Sequence, residues 1–208
     1  MHLQDNNWES SDSQVFWGEI APTDHVVQIY ENDDVFLDTL AGYVGGGINA
    51  GDSVVLIATQ EHLISLERKL ESFGIHVVHL IAESRYIPLD ANETLSRFMV
   101  NGWPDEQLFF DTILRIIKKA RGNNNRRIRA FGEMVAILWS QGLNGATIQL
   151  EDLWNKAAEI EDFCLFCAYP KSGFSASPSE SLKHICCTHS KVINGATPAL
   201  KQVLYKVS

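Results

Sequence analysis

The chain predicts an α/β domain with a mostly parallel central sheet flanked by helices, on three observations. From His25 onward, short strand-like apolar runs alternate with amphipathic helical stretches, the rhythm of strand–helix–strand units. The runs are rich in Val, Ile, Leu or Phe. With 208 residues, 45% apolar and 21% charged, and ten Phe, five Trp and five Tyr, the chain has the material for one core and is not disordered, collagenous or low in complexity.

The elements follow in order. Residues 1–22 are polar and irregular, with Trp8, Phe16 and Trp17 as the large apolar groups, and are expected to strap loosely onto the body. The strand candidates are His25 to Tyr30, Ser53 to Ala58, His76 to Ile81, Ile128 to Glu133 and Phe163 to Tyr169. A helix over Asp33 to Ile48 places Phe36, Leu37, Leu40, Tyr43 and Val44 on one face, with Asn32 or Asp33 as its cap and Gly45-Gly46-Gly47 softening its end. Thr59 can cap the next helix, in which Leu63, Leu66, Leu70 and Phe73 repeat at helical spacing before Gly74. A third runs from Pro104 to Arg121, with Pro at its first position, acids at its start, bases at its end and Gly122 beyond. Ser177-Pro178-Ser179-Glu180 reads as a capping box opening a helix that buries Leu182, Ile185 and Cys186.

Charge and cysteine content narrow the function classes. Seventeen Lys and Arg against twenty-six Asp and Glu give a net charge of −9, which argues against direct, sequence-independent nucleic-acid binding. Residues 1–162 hold 25 acids and 12 bases while residues 163–208 hold one acid and five bases, an acidic body followed by a weakly basic segment read as ordinary surface. No stretch approaches the roughly 20 apolar residues of a membrane span, and the start lacks a signal peptide's basic flank and apolar stretch, so a cytoplasmic protein is expected. Four cysteines are too few for a disulfide scaffold. Cys164-x-x-Cys167 followed by His184-x-Cys186-Cys187-x-His189 spells a zinc pattern, but residues three apart on a strand face opposite ways, so no metal is expected and the cysteines read as small buried hydrophobes.

In an open parallel sheet ligands bind beyond the carboxyl ends of the strands, so the residues after each strand are the candidates. Those are Tyr30, Glu31, Asn32 and Asp33 after the first, Thr59 after the second, Glu83, Arg85 and Tyr86 after the third, Glu133 and Met134 after the fourth, and Tyr169 at the last. Aromatic rings beside carboxylates suit a small organic ligand, although Glu31, Asn32 and Asp33 equally suit a helix start. The first strand–helix turn has neither G-x-x-x-x-G-K-S/T nor G-x-G-x-x-G, and its acids would repel a triphosphate. No G-x-S-x-G, H-E-x-x-H or zinc-deaminase pattern occurs, so catalysis has no support and no cofactor is expected. His25, His76 and His79 read as structural hydrogen-bonding groups, His62 as a solvent-facing helix residue, Arg126-Arg127-Ile128-Arg129 as a solvated turn entering a strand, and Trp139 and Trp154 as core.

A resemblance then emerges from segments in fixed order: His25-Val-Val-Gln-Ile-Tyr30-Glu31-Asn32-Asp33, Gly47-Ile-Asn-Ala-Gly51-Asp52, Arg85-Tyr86-Ile-Pro, Phe131-Gly132-Glu133-Met134 through Trp139 to Gly142, Leu150-Glu151-Asp-Leu153-Trp154-Asn155 and Phe163 through Cys167 to Pro170. Together they resemble the MEDS domain, the methanogen/methylotroph DcmR-type sensory domain, over residues 25 to about 190. The resemblance implies a RecA/KaiC-like three-layer sandwich that has lost its phosphate-binding loop, recognition of small organic metabolites including hydrocarbon derivatives, and output through kinase or helix-turn-helix modules. It divides the chain into an irregular segment over 1–22, the sensory domain over 23–190 and a tail over 191–208, too short for such a module. Glu133 is then similar to the Walker B acid, with ligand contact and structural hydrogen bond both open. The expectation is a non-enzymatic sensor that binds a small organic ligand and signals through a separate kinase or transcription regulator, with homo-oligomers permitted. A ligand-free adaptor, such as an anti-sigma or kinase partner, and a residual nucleotide hydrolase using Glu133 are the alternatives.

Overall fold

A computed structural model describes residues 17, 20–174, 185, 187–195 and 203–205. Strands β1 (His25–Tyr30) and β2 (Ser53–Ala58) are buried at every residue, as strands covered on both faces must be. With β3 (Tyr86–Asp90), β6 (Ile128–Gly132), β7 (Cys164–Pro170), β8 (Lys191–Gly195) and β9 (Val203–Tyr205) they form one sheet in the order β3-β2-β6-β7-β1-β8-β9. Its first six strands are parallel and β9 runs antiparallel to β8. A hairpin of β4 (Met99–Val100) and β5 (Trp103–Pro104) lies apart.

Because side chains alternate along a strand, each face of the sheet has its own core. Val26, Val54, Leu56, Phe131 and Phe166 meet α1 (Asp33–Asn49), α2 (Gln60–Ser72) and α3 (Val77–Ala82). Val27, Val55, Ala130, Leu165 and Cys167 meet α4 (Ala91–Ser96), α5 (Glu106–Arg121), α6 (Met134–Ser140) and α7 (Asn144–Glu161). The result is the three-layer α/β sandwich the sequence predicts.

Five local expectations are corrected. His76 to Ile81 is not a strand: Val77 and Leu80 are buried while Val78 and Ile81 are 77% and 44% exposed, the spacing of a helix face. The strand is Tyr86–Asp90 instead, and its Pro88 is tolerated because β3 is an edge. Pro104 belongs to β5, leaving Asp105 to cap α5 by accepting from the Leu108 N–H at 2.9 Å. Trp17 is 1% exposed, its ring edge-on to Tyr43 at 5.0 Å, so the N-terminal segment is anchored in the core at that point. The presumed tail from residue 191 supplies β8, and Lys191 pairs with Asp24. The capping box at Ser177–Glu180 lies outside the described residues.

The fifth correction is Arg129, which is 5% exposed rather than solvated. Its Nε donates to Asp52 Oδ2 at 2.9 Å, Nη1 donates to the Tyr43 carbonyl at 3.3 Å, and the guanidinium lies 5.4 Å from the Tyr43 ring centroid. Gly47 makes the room: a Cβ there would stand 2.7 Å from Arg129 Cδ and 2.9 Å from Nε. This explains glycine inside α1, where it costs helix stability. In denaturant unfolding, Asp52→Ala should lose about 3–5 kcal/mol by stranding a buried cation. Gly47→Ala should lose about 1–3 kcal/mol by overpacking.

Candidate functional site

Glu133 follows β6, and its N–H donates to the Ile57 carbonyl at 2.9 Å, which fixes it beside the end of β2. There its carboxylate accepts from the Thr59 N–H at 2.8 Å through Oε2 and lies 2.9 Å from His62 Nδ1 through Oε1. Thr59 starts α2 without a side-chain capping bond, and its own amide and hydroxyl are both turned to Glu133, the hydroxyl donating to Oε1 at 3.5 Å. His62, expected to face solvent, sits over Phe36 with ring centroids 4.9 Å apart. Phe36 in turn stacks on Tyr30 at 4.7 Å. Tyr30 and Glu133 are 6% and 7% exposed, so aromatic packing encloses the bridge.

The charges in this corner reinforce one another. Burial works against a charged His62 imidazole, but the hydrogen bond and charge of Glu133, aided by Asp33 and Glu61, outweigh it and hold the proton above the ordinary 6.5. Burial, then the charges of Glu133 and Asp33, push the Tyr30 phenol upward, so it is a neutral hydroxyl at physiological pH. The corner offers a carboxylate, an imidazole, a phenol and an amide near one another, groups suited to orienting a small polar molecule.

The other sequence candidates divide. Glu31 pairs with Lys171 on the surface, and Asn32 caps α1 by accepting from the Val35 N–H at 2.9 Å. Glu83, Arg85 and Tyr86 lie before β3 or at its start, across the sheet from the strand ends, because the third strand is Tyr86–Asp90. Arg85 donates to the Ile48 carbonyl at 2.6 Å, and Tyr86 is buried. Met134 is fully buried in the core. Tyr169 also points into the core, where its hydroxyl donates to Glu151 Oε1.

That Glu151 belongs to a second polar cluster, which sequence reasoning missed. Cys164 and Cys167 face opposite sides of the sheet as expected, but Cys167 has polar company: His25, Glu151 and His189 each place a donor atom near its sulfur, all four groups being buried. His25 Nε2 lies 3.4 Å from Cys167 Sγ and 3.4 Å from Glu151 Oε2. His189 Nε2 lies 3.5 Å from the same oxygen. Burial is the main force lowering His25 to about 3 and His189 to about 4, so both are neutral imidazoles; burial also raises Glu151 and Cys167. A signal was present: Glu151 falls on the face of α7 that buries Thr147, Leu150 and Trp154, an unusual place for a carboxylate.

Comparison with known proteins agrees with this architecture. A KaiC-like protein from the hyperthermophilic archaeon Pyrococcus horikoshii OT3 has a similar crystal structure, with a TM-score of 0.55 and 15% identity over 83% of this chain and 72% of that one. At that identity the shared property is the fold. No curated protein matches. The family model of the MEthanogen/methylotroph, DcmR Sensory domain, MEDS, matches residues 24–190. This chain belongs to the MEDS family of sensory domains, on a KaiC-like α/β fold.

Proposed function

We propose that the chain is a non-catalytic sensory module that binds a small polar organic molecule at the Tyr30–His62–Glu133 corner and signals through a separate protein. The observation that carries this reading is the Glu133 bridge, which ties the end of β6 to the first turn of α2 through Thr59 and His62. A ligand with its own donor competes for that carboxylate and frees α2 to move. Switching requires the ligand to favour the opened arrangement, since equal affinity for both would shift nothing. The partner, a kinase or transcription regulator, would read the displaced helix.

A nucleotide does not fit the same corner. The turn after β1 offers Glu31, Asn32, Asp33 and Asp34, without the glycine-rich amides, lysine and hydroxyl that cradle phosphates, and Glu133 is engaged by Thr59 and His62. One observation favours the ligand-free adaptor as a second reading: Tyr30 and Phe36 already fill the space beside the bridge.

Three outcomes are expected. In an NMR screen of short alcohols, aldehydes, ketones and carboxylic acids, at least one class should shift the His62 ring and Thr59 amide signals; silence across the panel, with capture of a partner unaffected by it, would favour the adaptor. Magnesium ATP should give no turnover above background and no change in melting temperature, whereas turnover abolished by Glu133→Gln would restore the hydrolase. His62 should titrate with a midpoint above 6.5, falling in Glu133→Gln. Because the folded value exceeds the unfolded one, the bridge stabilises fully below about pH 6.5 and loses that contribution as pH rises through the folded midpoint. The stability gap between the wild type and His62→Gln should therefore narrow with rising pH.

A further inference from the structure

We propose that His25, Glu151, Cys167 and His189 form a four-ligand binding site for zinc(II). Four donor atoms, one from each residue, all lie within 4.8 Å of one another. Four of the six edges are 3.4 Å from His25 Nε2 to Cys167 Sγ, 3.4 Å from His25 Nε2 to Glu151 Oε2, 3.5 Å from His189 Nε2 to Glu151 Oε2 and 3.8 Å from Cys167 Sγ to Glu151 Oε2, and the other two, from His189 to His25 and to Cys167, are within 4.8 Å. A tetrahedral zinc with nitrogen and oxygen ligands near 2.0–2.1 Å and sulfur near 2.3 Å has edges of about 3.3–3.6 Å. Small side-chain adjustments would close the set around an ion.

The surroundings prepare the ligands for that role. His25 Nδ1 lies 2.8 Å from Asn155 Oδ1, and His189 Nδ1 lies 2.7 Å from the Ile185 carbonyl. Both partners are acceptors, so each ring carries its proton on Nδ1 and turns the Nε2 lone pair toward the cluster, the arrangement that outer hydrogen bonds impose on metal-binding histidines. His189 Nε2 is buried and has no hydrogen-bond partner, which a purely structural imidazole would avoid. Tyr169 occupies Glu151 Oε1 and leaves Oε2 facing the other donors.

Ligand chemistry selects the ion. Two imidazoles, a thiolate and a carboxylate suit zinc and disfavour calcium or magnesium, which take oxygen ligands. On binding, the Cys167 thiol releases its proton to solvent; thiolate and carboxylate then balance the dication, so the buried centre is neutral. With all four positions supplied by protein, the site is closed and structural in type. It would join β1, α7 and β7 to the segment leading into β8, since the Ser190 N–H donates to the His25 carbonyl at 2.7 Å. This inference is independent of the ligand proposed at the strand ends.

The test uses the full-length chain, reduced and stripped with chelator. Zinc(II), titrated against a chromophoric chelator, should bind at one equivalent with proton release. Cobalt(II) in its place should give tetrahedral d–d absorption with one sulfur-to-cobalt charge-transfer band. Cys167→Ser should lose that band while Cys187→Ser keeps it. X-ray absorption of the wild-type zinc form provides a readout that needs no variant, and should find one sulfur and three nitrogen or oxygen neighbours. Absence of stoichiometric binding, two or more sulfur neighbours, or a charge-transfer band that survives in Cys167→Ser would overturn the assignment.

Discussion

A parallel sheet covered by helices on both faces leaves its buried polar side chains no water, and this constraint governs the molecule. Each such group must find a partner within the fold or lose the stability that burial of its neighbours supplies. Arg129 meets Asp52 on one face, and Glu151 meets Tyr169 and the histidines on the other. Glu133, at the rim between layers, meets Thr59 and His62. The apolar cores make the chain collapse; these three polar joints fix which strand lies beside which helix.

The joints differ in what they can do. The Arg129–Asp52 pair is sealed by Trp17, Tyr43 and the glycines of α1, and its chemistry is structural. The Glu133 bridge stands where strands end and a helix begins, and ties the first turn of α2 to the end of β6. On this KaiC-like fold Glu133 stands at the end of β6 and holds the Thr59 amide and the His62 ring. The arrangement makes a sensory role physically intelligible: a bridge made of hydrogen bonds can be contested by a small molecule, whereas a packed core cannot.

Much of the fold was legible in the sequence because apolar runs and helix caps are local signals. Four of the five expected strands were found where expected, and Cys164 and Cys167 do face opposite ways. The third strand was misplaced because a short apolar run fits a strand or a buried helix turn equally well, and the true strand carries an edge proline. That single error placed Glu83, Arg85 and Tyr86 on the wrong side of the sheet. His62, His189 and Glu151 were read singly and not joined to their partners for a different reason: the contacts that define them join separate elements, 71 residues apart for His62–Glu133, 142 for His25–Cys167 and 18 for Tyr169–Glu151, which no local pattern reports. Glu133 was a candidate from its place at a strand end and again from the family resemblance, while its actual partners came from the fold.

The most direct test of the central claim, that Glu133 couples β6 to α2, is a double-mutant cycle of Glu133→Gln and His62→Gln by denaturant unfolding at pH 6, with exchange of the Thr59 amide followed in parallel. A coupling energy of about 1 kcal/mol or more is expected, within the range seen for residues in one hydrogen-bond network, with faster Thr59 exchange in Glu133→Gln. Losses that add to within about 0.3 kcal/mol, with unchanged Thr59 exchange, would contradict it.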